Sequence, residues 1–166
     1  MHIREETPND APLIARIVER AFEGHPHSRG NEVAIIRNLR AAFALPVSLV
    51  AEANGQVRGY VAASSVKIAG RSSKWFGLGP MAVDPTVQGQ GVGGALVNEC
   101  LDRLRSRGAS GCVVLGNPTY YCRFGFRAHT GLSYKAAPAE YFMAVSFNAS
   151  IPSGEVTYHA AFDGEA

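Results

Sequence analysis

Cysteine is scarce in this chain: Cys100, Cys112 and Cys122 are the only three in 166 residues. The number is odd and no Cys-x-x-Cys pair occurs. That argues against a disulfide framework and predicts reduced thiols in the cytoplasm. Cys100 and Cys112 fall on apolar faces and read as core. Strong charge of one sign is also missing, with a formal net charge of +2. The densest basic cluster, Arg103, Arg105 and Arg107, lies along one predicted helix and reads as a solvated face, so no nucleic-acid partner is expected. No apolar run approaches the roughly 20 residues that a membrane span needs, and no signal peptide precedes the first strand pattern, His2-Ile3-Arg4. No His, Cys or Asp residues stand at metal-ligand spacing, so no metal is expected. Repeats, linkers and low-complexity stretches are absent. What is present is a hydrophobic fraction of 46%, enough for one core. The length predicts a single domain over 1–166.

Thr7-Pro8-Asn9-Asp10 reads as a helix start, with Thr7 as N-cap and Pro8 in the first turn. Leu13, Ile14, Ile17, Val18, Ala21 and Phe22 follow at helical spacing. Glu23 to Gly30 breaks the pattern as a loop, and a second helix turns Val33, Ile36 and Leu39 inward. A strand over Ser48 to Ala51, the hairpin signal Asn54-Gly55 and a return strand over Gln56 to Ile68 come next. Gly70-Arg71-Ser72 reads as a turn and Trp75 to Val83 as a strand, with a bulge expected at Gly77, Gly79 and Pro80. A helix from Gly91 to Arg107 follows, C-capped by Gly108. Cys112 to Leu115 reads as a buried central strand. Tyr120 to Gly125 reads as a short turn or helix. Strands are expected over Phe126 to Tyr134, Met143 to Phe147 and Val156 to Tyr158. This order suits a three-layer α/β or α+β domain.

The most informative stretch is Gln88-Gly89-Gln90-Gly91-Val92-Gly93-Gly94, where a strand gives way to a helix. Glycine lets a backbone approach a ligand closely. The first N–H groups of a helix are unpaired, and its dipole favours negative charge, so a phosphate or pyrophosphate belongs there. A turn that bound nothing would not need four glycines in six positions. Gly89-x-Gly91-x-x-Gly94 also fits the dinucleotide fingerprint. It sits mid-chain, however, with no acidic residue about 20 positions on and no second βαβ half. No Gly-Lys-Ser/Thr occurs, which excludes a P-loop.

Gln88-x-x-Gly91-x-Gly93 resembles the pyrophosphate loop of GNAT acetyltransferases. Met81-x-Val83-x-Pro85 resembles the strand that precedes it in that family, and Tyr121-Cys122-Arg123-Phe124-Gly125-Phe126 its Tyr-x-Lys/Arg-x-Gly-Phe segment. The longer string from Leu115 through Asn117 to Phe126, with Pro138 to Met143 and Val156 to Phe162, is similar to the YhbS-like branch. The resemblance implies the GNAT acyl-CoA N-acyltransferase fold: an α/β (α+β) mixed sheet, mostly antiparallel, splayed at the cofactor site, with helices on both faces. It implies acetyl-CoA as co-substrate. Gln88, Gly89, Gln90, Gly91, Val92, Gly93 and Gly94 would hold the pyrophosphate, and Met81, Val83, Asn117 and Tyr121 the rest of the cofactor. It implies acetyl transfer to an amine, on a small molecule or a protein, with Tyr121 as general acid. A homodimer is the assembly it suggests.

Several alternatives stay open. Tyr120 is adjacent to Tyr121 and competes for the acid role. Cys122, beside them, is the one candidate for a reactive thiol. Glu52, Glu32, His25 and His27 are candidate bases, none of them favoured over water. Residues Phe22 to Asn31 are expected to influence acceptor choice. A non-catalytic acyl-CoA-binding module is the competing reading, and a nucleotide enzyme using the glycine loop is a further one.

Overall fold

The computed structural model describes residues 1–163. The elements in chain order are β1 (His2–Glu5), α1 (Ala11–Phe22), α2 (Glu32–Ala41), β2 (Val47–Ala53), β3 (Gln56–Ile68), β4 (Arg71–Val83), α3 (Val92–Ser106), β5 (Gly111–Leu115), α4 (Pro118–Tyr121), β6 (Leu132–Ser133), β7 (Phe142–Ser146) and β8 (Gly154–Thr157). The sheet runs β1-β2-β3-β4-β5-β7, with β8 leaving that path to pair with the far end of β3 and with β6. Along the main path every pairing is antiparallel except β4 with β5.

The first helix starts as read. Pro8–Asp10 forms a single 3₁₀ turn leading into α1. The Asp10 carboxylate accepts the Thr7 N–H at 2.7 Å and two guanidinium bonds from Arg4 at 2.7 and 3.1 Å. Arg4 also reaches Glu52 at 2.8 Å, so one cation ties β1, β2 and the start of α1 together. At Asn54-Gly55 both residues have positive φ, +53° and +75°, as a two-residue hairpin turn requires.

Alternation along β3 sends side chains to two layers. Val61 and Ala63 join the core beneath α3, with Leu96, Val97, Cys100, Leu101 and Leu104. Tyr60 and Ala62 join the core beneath α1, with Ile14, Ile17 and Val18. Beyond Ala62 the latter face is covered by the C-terminal segment, which packs Leu132, Phe142 and Val156 on Val66, Trp75 and Val113.

Two expectations fail. The turn after β3 is Ala69-Gly70, at φ +52° and +73°, and β4 begins at Arg71 rather than Trp75. The ladder resumes at once through Ile68–Arg71 and Lys67–Ser72, because a two-residue turn closes on an alanine forced into the left-handed region. Phe126 to Tyr134 is not a strand. It makes one bridge, Arg127 to Ala144, and the two-residue β6. Phe126 and Leu132 are buried anchors, whereas the residues between them are mostly exposed, so the segment wraps the sheet edge instead of extending it.

Candidate active site

Strands β4 and β5 pair from Trp75–Gly111 to Leu78–Val114 and then part. β4 continues to Val83 on its β3 side, while β5 ends at Leu115. The bulge read from the sequence falls at the parting point. Met81 opposes Val61 and Leu78 opposes Ala63, so Gly79 and Pro80 face a single residue of β3. The result is a fork in the sheet, with half-buried Met81 and Val83 on one prong.

The glycine loop lies at the end of that prong. Gly89 and Gly91 have φ of +78° and +86°, and Gly91 is the N-cap of α3. The helix ladder begins with the Ala95 N–H to the Gly91 carbonyl, so the N–H groups of Val92, Gly93 and Gly94 precede it. Nothing stands within 4 Å of where a Cβ on Gly89 or Gly91 would be, which leaves this backbone approachable. Gln88 does not aim outward. Its side-chain amide donates to the Val83 carbonyl at 3.1 Å and braces the loop.

Sequence reasoning missed Asp84, which is buried where β4 meets the loop. Its carboxylate accepts the Thr86 N–H and hydroxyl at 3.0 and 2.8 Å and faces Arg58 at 3.4 Å and Arg20 at 3.5 Å. The bonds from Thr86, chiefly its N–H, hold this carboxyl below its ordinary pKa against the opposing effect of burial. The signal was present in Asp84-Pro85-Thr86, an acidic cap before a proline.

α4 covers the other side of the fork. Asn117 caps it by accepting the Thr119 N–H at 2.9 Å. The two tyrosines diverge. The Tyr120 hydroxyl lies against Gly93, and the Arg123 guanidinium stacks over the Tyr120 ring at 4.4 Å. The Tyr121 ring lies against Gly116 just past β5 and meets Phe126 edge-on at 5.8 Å. Burial pushes both phenols above their ordinary value, Tyr121 further than Tyr120. Cys122 is exposed, its thiol directed at the Thr119 carbonyl, whereas Cys100 and Cys112 are buried. Burial lifts the Cys100 thiol to about 12.

The candidate bases separate. Glu52 is engaged by Arg4 at the β1–β2 edge, away from the fork. Glu32 accepts the Ser28 hydroxyl at 2.8 Å and, with Glu19, Glu23, Arg20 and His25, lines a cavity of about 660 Å³ between α1 and α2. His27 leans from that loop toward Tyr141, ring centroids 6.3 Å apart, and the Tyr141 carbonyl accepts the Gly116 N–H. The loop therefore reaches the end of β5. Among the described residues no helix is long and apolar enough to cross a membrane, and no three His, Cys, Asp or Glu gather as metal ligands.

A mixed sheet forked beside a glycine-rich helix start is the architecture that the sequence resemblance implied. Residues 46–128 match the family model described as an acetyltransferase (GNAT) domain. Over 127 residues the chain is 42% identical to an uncharacterized N-acetyltransferase, YhbS, of Escherichia coli (strain K12), covering 76% of this chain and 73% of that one. A crystal structure of a GNAT family acetyltransferase from Brucella melitensis in complex with acetyl-CoA superposes with a TM-score of 0.88 at 48% identity, covering 98% of this chain and 97% of the other. That of E. coli YhbS in complex with CoA also gives 0.88, at 36% identity, covering 98% and 92%. The chain belongs to the GNAT acetyltransferase family.

Proposed function

We propose that this protein transfers an acetyl group from acetyl-CoA to a primary amine by direct attack of the amine. The observation that carries the reading is the fork between β4 and β5, opening beside the unpaired N–H groups at the start of α3. The residues present fit the co-substrate. The open backbone at Gly89 and Gly91 leaves room for a pyrophosphate, and the helix N-terminus favours its charge. The unpaired prong of β4 offers strand edges to an extended arm. Two relatives of the same fold are described in complex with acetyl-CoA and with CoA.

Bound there, acetyl-CoA would supply an activated thioester carbonyl. The backbone N–H groups of Gln90 to Gly94 hold its pyrophosphate, while Gln88 acts from behind by fixing the loop to Val83. Backbone groups of Met81 and Val83 hold the thioester arm, and one N–H there stabilises the charge that develops on the carbonyl oxygen. Asn117 caps the short helix that presents the tyrosines. Tyr121 gives its proton to the departing sulfur. Its position at the end of β5 supports this role over Tyr120, whose hydroxyl is at Gly93 near the pyrophosphate. Burial keeps the Tyr121 phenol protonated at neutral pH, as an acid must be. The amine's own proton leaves to water. The acceptor is a small-molecule or protein amine, and we place the reaction in the cytoplasm.

Thermal unfolding with acetyl-CoA, with NADH and ATP as controls, tests the reading. Acetyl-CoA at 100 times its Kd should add about 2.7 kcal/mol of stability. A shift with acetyl-CoA alone, followed by CoA release on adding amines, supports it. A shift with NADH alone overturns it. A shift with acetyl-CoA but no turnover with any amine favours the non-catalytic acyl-CoA-binding reading.

A further inference from the structure

Two buried hydroxyls among the described residues have no hydrogen-bond partner, Ser64 Oγ and Tyr158 Oη. Ser64 is wholly buried in β3, with 0% exposure. The Tyr158 side chain reaches the surface in part, but its hydroxyl does not.

Both belong to one spot. The Tyr158 ring covers Gly77, its Cε2 and Cζ standing 2.6 and 3.1 Å from where a Cβ would be. Ser64 is the residue paired with Gly77 across β3 and β4. Opposed residues of an antiparallel pair project to the same face, with Cβ positions about 5 Å apart. The hydroxyl-bearing end of the ring and the serine hydroxyl are therefore neighbours. On its other side Gly77 pairs with Val113, one pair below Leu78–Val114, where the strands part. The spot is the floor of the fork, on the face opposite α3.

Packing accounts for the ring without its oxygen. Tyr134 and Phe162 hold it at centroid distances of 5.2 and 4.9 Å. Phenylalanine at 158 and alanine at 64 would fill this space and bury no unpaired hydroxyl, which is otherwise destabilising. We propose that Ser64 and Tyr158 form a site for one internal water at the floor of the fork, and that through this water they position the acceptor amine before the thioester. A buried water needs two to four polar partners. Each of these hydroxyls either donates or accepts, so the water is free to turn a lone pair or a hydrogen toward a group entering the fork. The positioning role rests on the acetyl-transfer reading; the water site does not.

The test pairs a crystal structure of the wild-type chain with kinetics of Ser64→Ala, Tyr158→Phe and the double variant. An ordered water within about 3.2 Å of both oxygens is expected; clear density without one overturns the site. In the variants the melting temperature should fall by no more than about 3 °C, the small loss expected from deleting one hydroxyl's bond to the water, and acetyl-CoA affinity should stay within about twofold. With the best substrate from a panel of primary amines, kcat/KM should fall about tenfold through KM for the amine. The double variant should be no worse than the worse single, because both hold one water. Unchanged kcat/KM in both singles overturns the positioning role, as does a joint fall in melting temperature and acetyl-CoA affinity beyond those bounds. If the wild type fails to bind acetyl-CoA, the positioning role falls with the acetyl-transfer reading, and the crystal structure alone decides the water site.

Discussion

The Tyr120 hydroxyl oxygen stands 2.6 Å from the point that a Cβ on Gly93 would occupy. The first turn of α3 and the short helix α4 thus meet through one phenol, while Tyr121, next in the chain, turns to Gly116 at the end of β5. Adjacent tyrosines therefore lie at different places beside the fork, one at Gly93 and one at Gly116, and their phenylalanine variants should differ in kind. Tyr121→Phe should lower kcat at least tenfold with acetyl-CoA affinity nearly unchanged. Tyr120→Phe should weaken acetyl-CoA binding and leave most of kcat. Steady-state kinetics and calorimetry separate the two; near-normal turnover by Tyr121→Phe removes it from the acid role.

The pH profile carries a second expectation. Burial raises the Tyr121 phenol above its usual value near 10. If Tyr121 is the general acid, its protonated form is the working one, and the raised pKa extends the active range upward. Turnover should rise with pH as the amine loses its proton and show no alkaline fall below about pH 10. A fall centred at pH 8 would assign the acid to another group.

At Gly91, φ of +86° sets the direction of the helix start, with open space where a side chain would be. Gly91→Ala meets no clash but should cost about 1 kcal/mol for the left-handed backbone, a drop of about 3 °C in Tm. If the loop holds the pyrophosphate, acetyl-CoA affinity should fall at least tenfold, well beyond that stability loss. Unaltered affinity in a thermal-shift titration would remove the loop from cofactor binding.

Acid should loosen the β1–α1 junction. The hydrogen bonds from Arg4 hold the nearly buried Asp10 carboxyl down to about 2, against an unfolded value of about 3.9. A lowered carboxyl pKa adds stability above the unfolded value, here about 2.6 kcal/mol, which is lost as pH falls from about 4 to 2. Asp10→Asn should remove it at neutral pH and flatten this part of the stability profile. An equally steep acid loss in the variant would place the effect elsewhere.

Residues Phe22 to Asn31 run from the 660 Å³ cavity to the His27–Tyr141 contact near β5. Exchanging this segment with that of a relative should change amine preference while leaving acetyl-CoA affinity intact. A panel of amines compared by kcat/KM decides it, and unchanged preference would release the loop from acceptor choice.

Local signals made much of the fold legible. Asn54-Gly55 names its own turn, and the stripe Leu96, Val97, Cys100, Leu101, Leu104 is buried as spaced. The start of β4 was hidden because Ala69 takes a left-handed conformation that alanine does not advertise. Phe126 to Tyr134 misled because two well-spaced buried anchors imitate a strand where the backbone makes almost no ladder. Within the site, the glycine loop and the tyrosine pair stood out by residue type. Asp84 left only the quiet local signal Asp84-Pro85-Thr86, and Ser64 and Tyr158 left none, because what brings those two together lies far apart along the chain.

The four pairs from Trp75–Gly111 to Leu78–Val114 form a short direct seam between β4 and β5, while β8, paired with β3 and with β6, is a second link between the β1–β4 part of the sheet and the later strands. Such a seam is a short zip. An extended ligand laid in the fork would lengthen it, bonding to both prongs at once. Amide protons of β5 and β7 should then exchange more slowly, approaching the rates of the central strands, and the two parts should unfold as one cooperative unit.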